Sequence, residues 1–136
     1  MGAKGSRCDY RDMREKDLLR AYREALADAV PPFRKADVVR QAITRPASRF
    51  WVSSERAAWQ MSRLERGLPL IDVTSPHLTE MYNEIYRRVK ALRAKRPGLS
   101  LVEAVEEVVY SPAPRFYLTP GTAMVMICQA QRHARR

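Results

Sequence analysis

A phrase that occurs twice constrains this chain more than any other feature. Pro46-Ala47-Ser48-Arg49-Phe50-Trp51-Val52-Ser53 returns 66 positions later as Pro112-Ala113-Pro114-Arg115-Phe116-Tyr117-Leu118-Thr119. An internal repeat sets the architecture before any single motif does. The correspondence runs past the phrase at the same offset. Pro31 matches Pro97, Phe33 matches Leu99, Val39 matches Val105 and Ile43 matches Val109. Ala57, Ala58, Met61 and Leu64 match Ala123, Met124, Ile127 and Ala130. The long segments ahead of these align best at an offset of 63 or 64, so one small insertion separates the copies.

Helix signals fill both copies. Asp12 and Glu15 have the spacing of a capping box, and Leu18, Leu19, Tyr22, Ala25, Leu26 and Ala29 then recur at helical spacing, which predicts a helix over 12–29. Pro31-Pro32 ends it. Val38, Val39, Ala42 and Ile43 mark a short helix over 35–44, stopped by Pro46. Ser53 caps a third helix over 54–66, with Gly67 beyond its end. Residues 67–75 form a linker whose Leu68, Leu70, Ile71 and Val73 should lie against the protein. Ser75-Pro76 opens a helix to about 94. Ser100 and Glu103 form a capping box for the next, and Thr119-Pro120 opens the last. The fold class is therefore all-α: one domain, 1–136, of six helices in two pseudo-symmetric three-helix repeats, about 12–66 and 76–132.

Between its helix stop and its helix cap, each phrase holds aromatic and aliphatic residues that favour extended backbone. Short extended segments are expected at 49–52 and 115–118, and the two can pair as a two-stranded ribbon. Phe50 with Val52, and Phe116 with Leu118, should face inward and clamp each capped helix to the two helices before it. The opposite face carries Arg49 with Trp51 and Arg115 with Tyr117. Arginine beside a large aromatic suits stacking on bases with charge on phosphates. The alternative is that the aromatics pack and the arginines bond helix carbonyls.

Charge bears on the same question. Lys and Arg number 25 against 15 Asp and Glu, a net +10, with Arg outnumbering Lys 20 to 5. Guanidinium groups favour bidentate phosphate or carboxylate partners. A nucleic acid, DNA or RNA, or an acidic protein would both answer that charge. The candidate binding residues are Arg45, Arg49, Trp51, Arg56, Arg63, Arg115 and Tyr117. A helix-turn-helix reading fits poorly, because residues 45–52 are too long for its turn. The third helix would then present Arg56, Gln60 and Arg63 outward. Met124 to Cys128 form an apolar run, and the helix over 120–130 is expected to be centrally buried or to offer a homodimer surface.

No catalytic constellation assembles. His77 and His133 lack triad or metal partners nearby in sequence, and no glycine spacing cradles a phosphate. Cys8 and Cys128 are too few for a disulfide framework or zinc site. The reading is a non-enzyme without cofactor or metal. No apolar run approaches a membrane span. Met1–Ser6 formally matches an acylation pattern, but one acyl chain anchors only marginally. A cytoplasmic location is expected.

The second phrase, Pro112-Ala113-Pro114-Arg115-Phe116-Tyr117-Leu118-Thr119, with the helices around it, resembles uncharacterised small helical proteins of gut bacteria and their phages or mobile elements that carry the phrase twice. The resemblance covers most of the chain. It implies a small cytoplasmic or phage-associated helical protein and transfers no activity and no site residue. The first copy departs from the second at Ser48 and Trp51. The function expected is nucleic-acid binding or regulation through Arg and aromatic surfaces, or else a structural or protein-interaction module without nucleic acid.

Overall fold

Prolines and side-chain caps cut the chain into six helices, as the sequence pattern requires. In the computed structural model these are α1 (Arg7–Asp28), α2 (Lys35–Ile43), α3 (Ser54–Glu65), α4 (Pro76–Lys95), α5 (Leu101–Val109) and α6 (Pro120–Ala134). The structure describes residues 7–135, with side chains from Tyr10 onward. The acylation pattern at 1–6, the Cys8 side chain and Arg136 lie outside that range.

Several helix ends follow from their caps. Ser53 accepts from the Arg56 amide at 3.1 Å, and Thr119 accepts from the Thr122 amide at 3.2 Å. Ser100 and Glu103 close a reciprocal capping box, each side chain meeting the other's backbone amide at 3.1 Å. Gly67 takes φ 76° just past α3, where a side chain would be strained. The start of α1 differs from expectation. No proline or glycine lies between Arg7 and Asp28, and α1 spans that whole stretch, so Asp12 lies within it. Glu15 is then no cap. It is 5% exposed, and its Oε2 lies 2.8 Å from His133 Nδ1 on α6.

The helices pack as two three-helix units. The first contains α1, α2 and α6, and the second α3, α4 and α5, with chain boundaries at Ala47/Ser48 and Ala113/Pro114. This corrects the clamp expected from the phrase. Each phrase does not tie its helix to the two before it: α3 packs on α4 and α5, and α6 packs on α1 and α2.

In the first unit, Leu18, Leu19, Tyr22 and Ala25 of α1 meet Val38, Val39, Ala42 and Ile43 of α2 and Ala123, Met126, Ile127 and Ala130 of α6, all buried. The apolar face of α6 is therefore occupied within the unit, leaving Val125 exposed. In the second, Ala57 and Met61 meet Met81, Tyr82, Ile85 and Val89, and Ala104, Val105, Val108 and Val109.

The phrases are joints without strands. No strand or sheet is present among the described residues, the segments 49–52 and 115–118 included. The Phe50 amide donates to the Val109 carbonyl at 3.0 Å in the second unit, and the Phe116 amide donates to the Ile43 carbonyl at 3.1 Å in the first. These bonds dock each phrase on the end of a short helix. The backbone then turns: the Val52 amide returns to the Phe50 carbonyl, and Tyr117 takes φ 54°. A left-handed aromatic residue ends any extended run. In each unit an arginine of the long helix also holds a phrase proline carbonyl, Arg20 to Pro46 at 3.0 Å and Arg88 to Pro112 at 2.8 Å.

Candidate nucleic-acid interface

The seven residues expected from sequence to bind a ligand fall into different environments. Arg49 is buried, 9% exposed. Its guanidinium donates to the Phe50 carbonyl at 3.0 Å and the Val52 carbonyl at 2.7 Å. It lies 4.9 Å from the centre of the Trp51 ring and 4.3 Å from that of Tyr110. Tyr117 is 5% exposed, with Arg115 at 5.4 Å from its ring centre. The phrase's second face is therefore built into the fold. At the first phrase the physical reason is the turn, which leaves carbonyls that the Arg49 guanidinium satisfies.

Arg45 lies in the first unit, where Asp28 bonds it and Glu24 lies 3.8 Å away. Most other arginines of the long and short helices are likewise matched to carboxylates. Arg20 meets Asp17 and Glu24, Arg40 meets Asp37, and Arg87 and Arg88 share Glu84. Arg93 meets Glu65, and Arg96 meets Glu107. Burial pulls the Arg20 guanidinium down, but the bonds from Asp17 and Glu24 outweigh it and hold it above its ordinary value. The hydrogen bond from Arg87 holds the Glu84 carboxyl below the usual carboxylate range, aided by Arg88 against some desolvation.

Helix α3 is different. Arg56, Trp59, Arg63 and Arg66 follow one another at intervals of three, four and three residues, the spacing that places side chains on one stripe. Their bonds run to neutral groups. Arg63 Nε donates to the Pro69 carbonyl at 3.0 Å and Arg66 Nε to the Ser62 carbonyl at 3.4 Å, while Arg56 stands beside the Tyr82 hydroxyl. Burial pushes the Tyr82 hydroxyl up, with Arg56 opposing. Trp59, between the arginines, is 45% exposed.

The sequence reading missed Trp59 and set Gln60 outward instead. Gln60 is fully buried, and its amide clasps the backbone of Ile71. The missed signal was present: the stripe through Ala57, Met61 and Leu64 runs closer to Gln60 than to Trp59. The linker does lie against the protein, as expected from its apolar residues. The Gln60–Ile71 and Arg63–Pro69 bonds hold it along the flank of α3, and the Leu68 amide adds a bond to the Arg63 carbonyl at 2.9 Å.

Shallow grooves lie within single units among the described residues. One, about 430 Å³, is lined by Asp12, Glu15, Lys16, Leu19 and His133. Another, about 320 Å³, is lined by Arg87, Arg88, Lys95, Glu107 and Ser111. No cluster of three metal-ligating side chains occurs among the described residues, and none of their helices is long and apolar enough to cross a membrane. Comparison with models of known families, with curated proteins and with solved structures gave no significant match.

Proposed function

We propose that this is a non-enzymatic nucleic-acid-binding protein whose contact surface is the outer stripe of α3. One observation carries the reading: the bonds of Arg63 and Arg66 run to neutral carbonyls and Arg56 stands beside the Tyr82 hydroxyl, whereas Arg20, Arg40, Arg87, Arg88 and Arg93 of the long and short helices each meet a carboxylate. Their charge is not cancelled locally and is open to phosphate. The net +10 supplies long-range attraction to a polyanion. The test is binding of DNA and RNA by the whole chain across a salt series. The triple variant Arg56→Gln, Arg63→Gln, Arg66→Gln should bind more weakly and with a shallower salt slope, by about 0.7–0.9 for each phosphate no longer neutralised. Absence of any binding at low salt sinks the proposal.

A second reading, a protein-interaction module, is favoured by a different patch. Leu26, Val30 and Phe33 are 40, 80 and 43% exposed. They lie at or beside a groove of about 280 Å³ that Asp28, Asp37 and Arg45 also line.

We also propose that the two units are duplicates of one three-helix design, completed by exchanging third helices. The matched bonds of Phe50 with Val109 and Phe116 with Ile43, and of Arg20 with Pro46 and Arg88 with Pro112, support this.

A further inference from the structure

We infer that the α3 stripe takes single-stranded nucleic acid, with one unpaired base stacked on Trp59 and neighbouring phosphates held by Arg56, Arg63 and Arg66. This rests on the nucleic-acid reading above and names the form of the ligand.

The first ground is the chemistry of the stripe. Indole offers one N–H donor and no acceptor. It cannot make the bidentate base-edge contacts by which side chains read a major groove. Its face, however, stacks on any base, and such contacts are sequence-tolerant. Trp59 is positioned for this on the outside of α3, one turn from Arg56 and one from Arg63. Trp51 is not, since it is half-buried with the Arg49 guanidinium over its ring.

The second ground is clearance. A single α-helix, about 10–12 Å across with its side chains, already fills a major groove of about 12 Å. Helix α3 does not stand alone. The segment from Leu68 to Ile71 is bonded along its flank through Arg63 and Gln60. Helix and strap together are too wide to enter a duplex groove. A splayed single strand has no such walls and can lie along the stripe.

The third ground is placement of charge. Arg56 and Arg63 are seven residues apart, about 10 Å along the axis, with the indole between them. Cations on either side of a stacking platform suit a backbone that runs past it.

The experiment uses the whole chain with a mixed-sequence oligonucleotide as single-stranded DNA, as single-stranded RNA and as a DNA duplex, all at one salt concentration. Tryptophan fluorescence is followed in the wild type and in Trp59→Phe, so the difference reports Trp59. The single strands should quench the Trp59 signal and bind at least 10-fold more tightly than the duplex. Trp59→Ala should lose roughly 5- to 100-fold in single-strand affinity. Its melting temperature and salt slope should stay unchanged. Duplex binding as tight as single-strand binding, or no loss in Trp59→Ala, overturns the inference and leaves the phosphate-binding reading intact. No binding of any nucleic acid at low salt overturns both.

Discussion

Gln60 holds Ile71 at both ends of its side-chain amide. Nε2 donates to the Ile71 carbonyl at 2.8 Å, and Oε1 accepts from the Ile71 amide at 3.1 Å. A side chain here takes the place of a neighbouring strand, because the linker has no strand to pair with. Gln60→Leu keeps the volume but leaves both backbone groups without those partners. We expect a loss of about 1–3 kcal/mol, read by denaturant unfolding. The Ile71 amide should also lose its protection from hydrogen exchange, while amides of α1 and α2 keep theirs.

Arg49 is a structural residue on this geometry. Arg49→Ala removes bonds to the Phe50 and Val52 carbonyls and the stack between Trp51 and Tyr110. Charged hydrogen bonds contribute about 1.5–3 kcal/mol each to stability, so the variant should unfold at distinctly lower denaturant. Its affinity for nucleic acid, measured on the fraction still folded, should match the wild type. A selective loss of binding with unchanged stability would contradict the assignment.

The two phrase phenylalanines should fail in different places. Phe50 is fully buried and Phe116 is 4% exposed. Truncating either to Ala should cost about 3–5 kcal/mol. Because Phe50 docks on Val109, Phe50→Ala should expose amides of α3, α4 and α5 to exchange. Phe116 docks on Ile43, so Phe116→Ala should expose those of α1, α2 and α6. The same pattern of exchange in both variants would argue against the helix grouping.

Glu84 gives a pH dependence with a defined sign. Its carboxyl is held low in the folded protein by Arg87 and Arg88. The stabilisation is fully present above the ordinary glutamate value of about 4.3 and is lost as pH falls through the lowered folded value. The wild type should therefore lose more stability than Glu84→Gln on going from neutral to strongly acid solution. Parallel losses would remove the pair from the account.

Helix positions were legible because local chemistry decides them. Proline stops, the Ser100–Glu103 box and the Ser53 and Thr119 caps act within a few residues. The grouping of helices was not legible, and the repeat itself is the reason. Ala57 and Met61 correspond to Ala123 and Ile127, so α3 and α6 present similar apolar faces. A pattern in one dimension does not say which long and short pair each of them packs on. Of the candidate residues, Arg56 and Arg63 fall at helical spacing on the outer side of α3. Arg49 and Tyr117 were candidates because an alternating phrase suggests an open face. The turn at Val52 and the left-handed Tyr117 close that face. Gln60, outward in a helix-turn-helix reading, is buried instead, at little cost because backbone groups eleven residues away complete its hydrogen bonds.

The order of the helices along the chain also orders assembly in time. The second unit is one continuous stretch, so every helix it needs is present once α5 has emerged. The first unit begins the chain, yet its α1 and α2 stay uncovered until α6 arrives after the whole second unit. Closing so long a loop is slow compared with packing neighbours. During synthesis the unit of α1 and α2 is thus completed after that of α3, α4 and α5, with the apolar surface that α6 covers open to solvent until α6 is made.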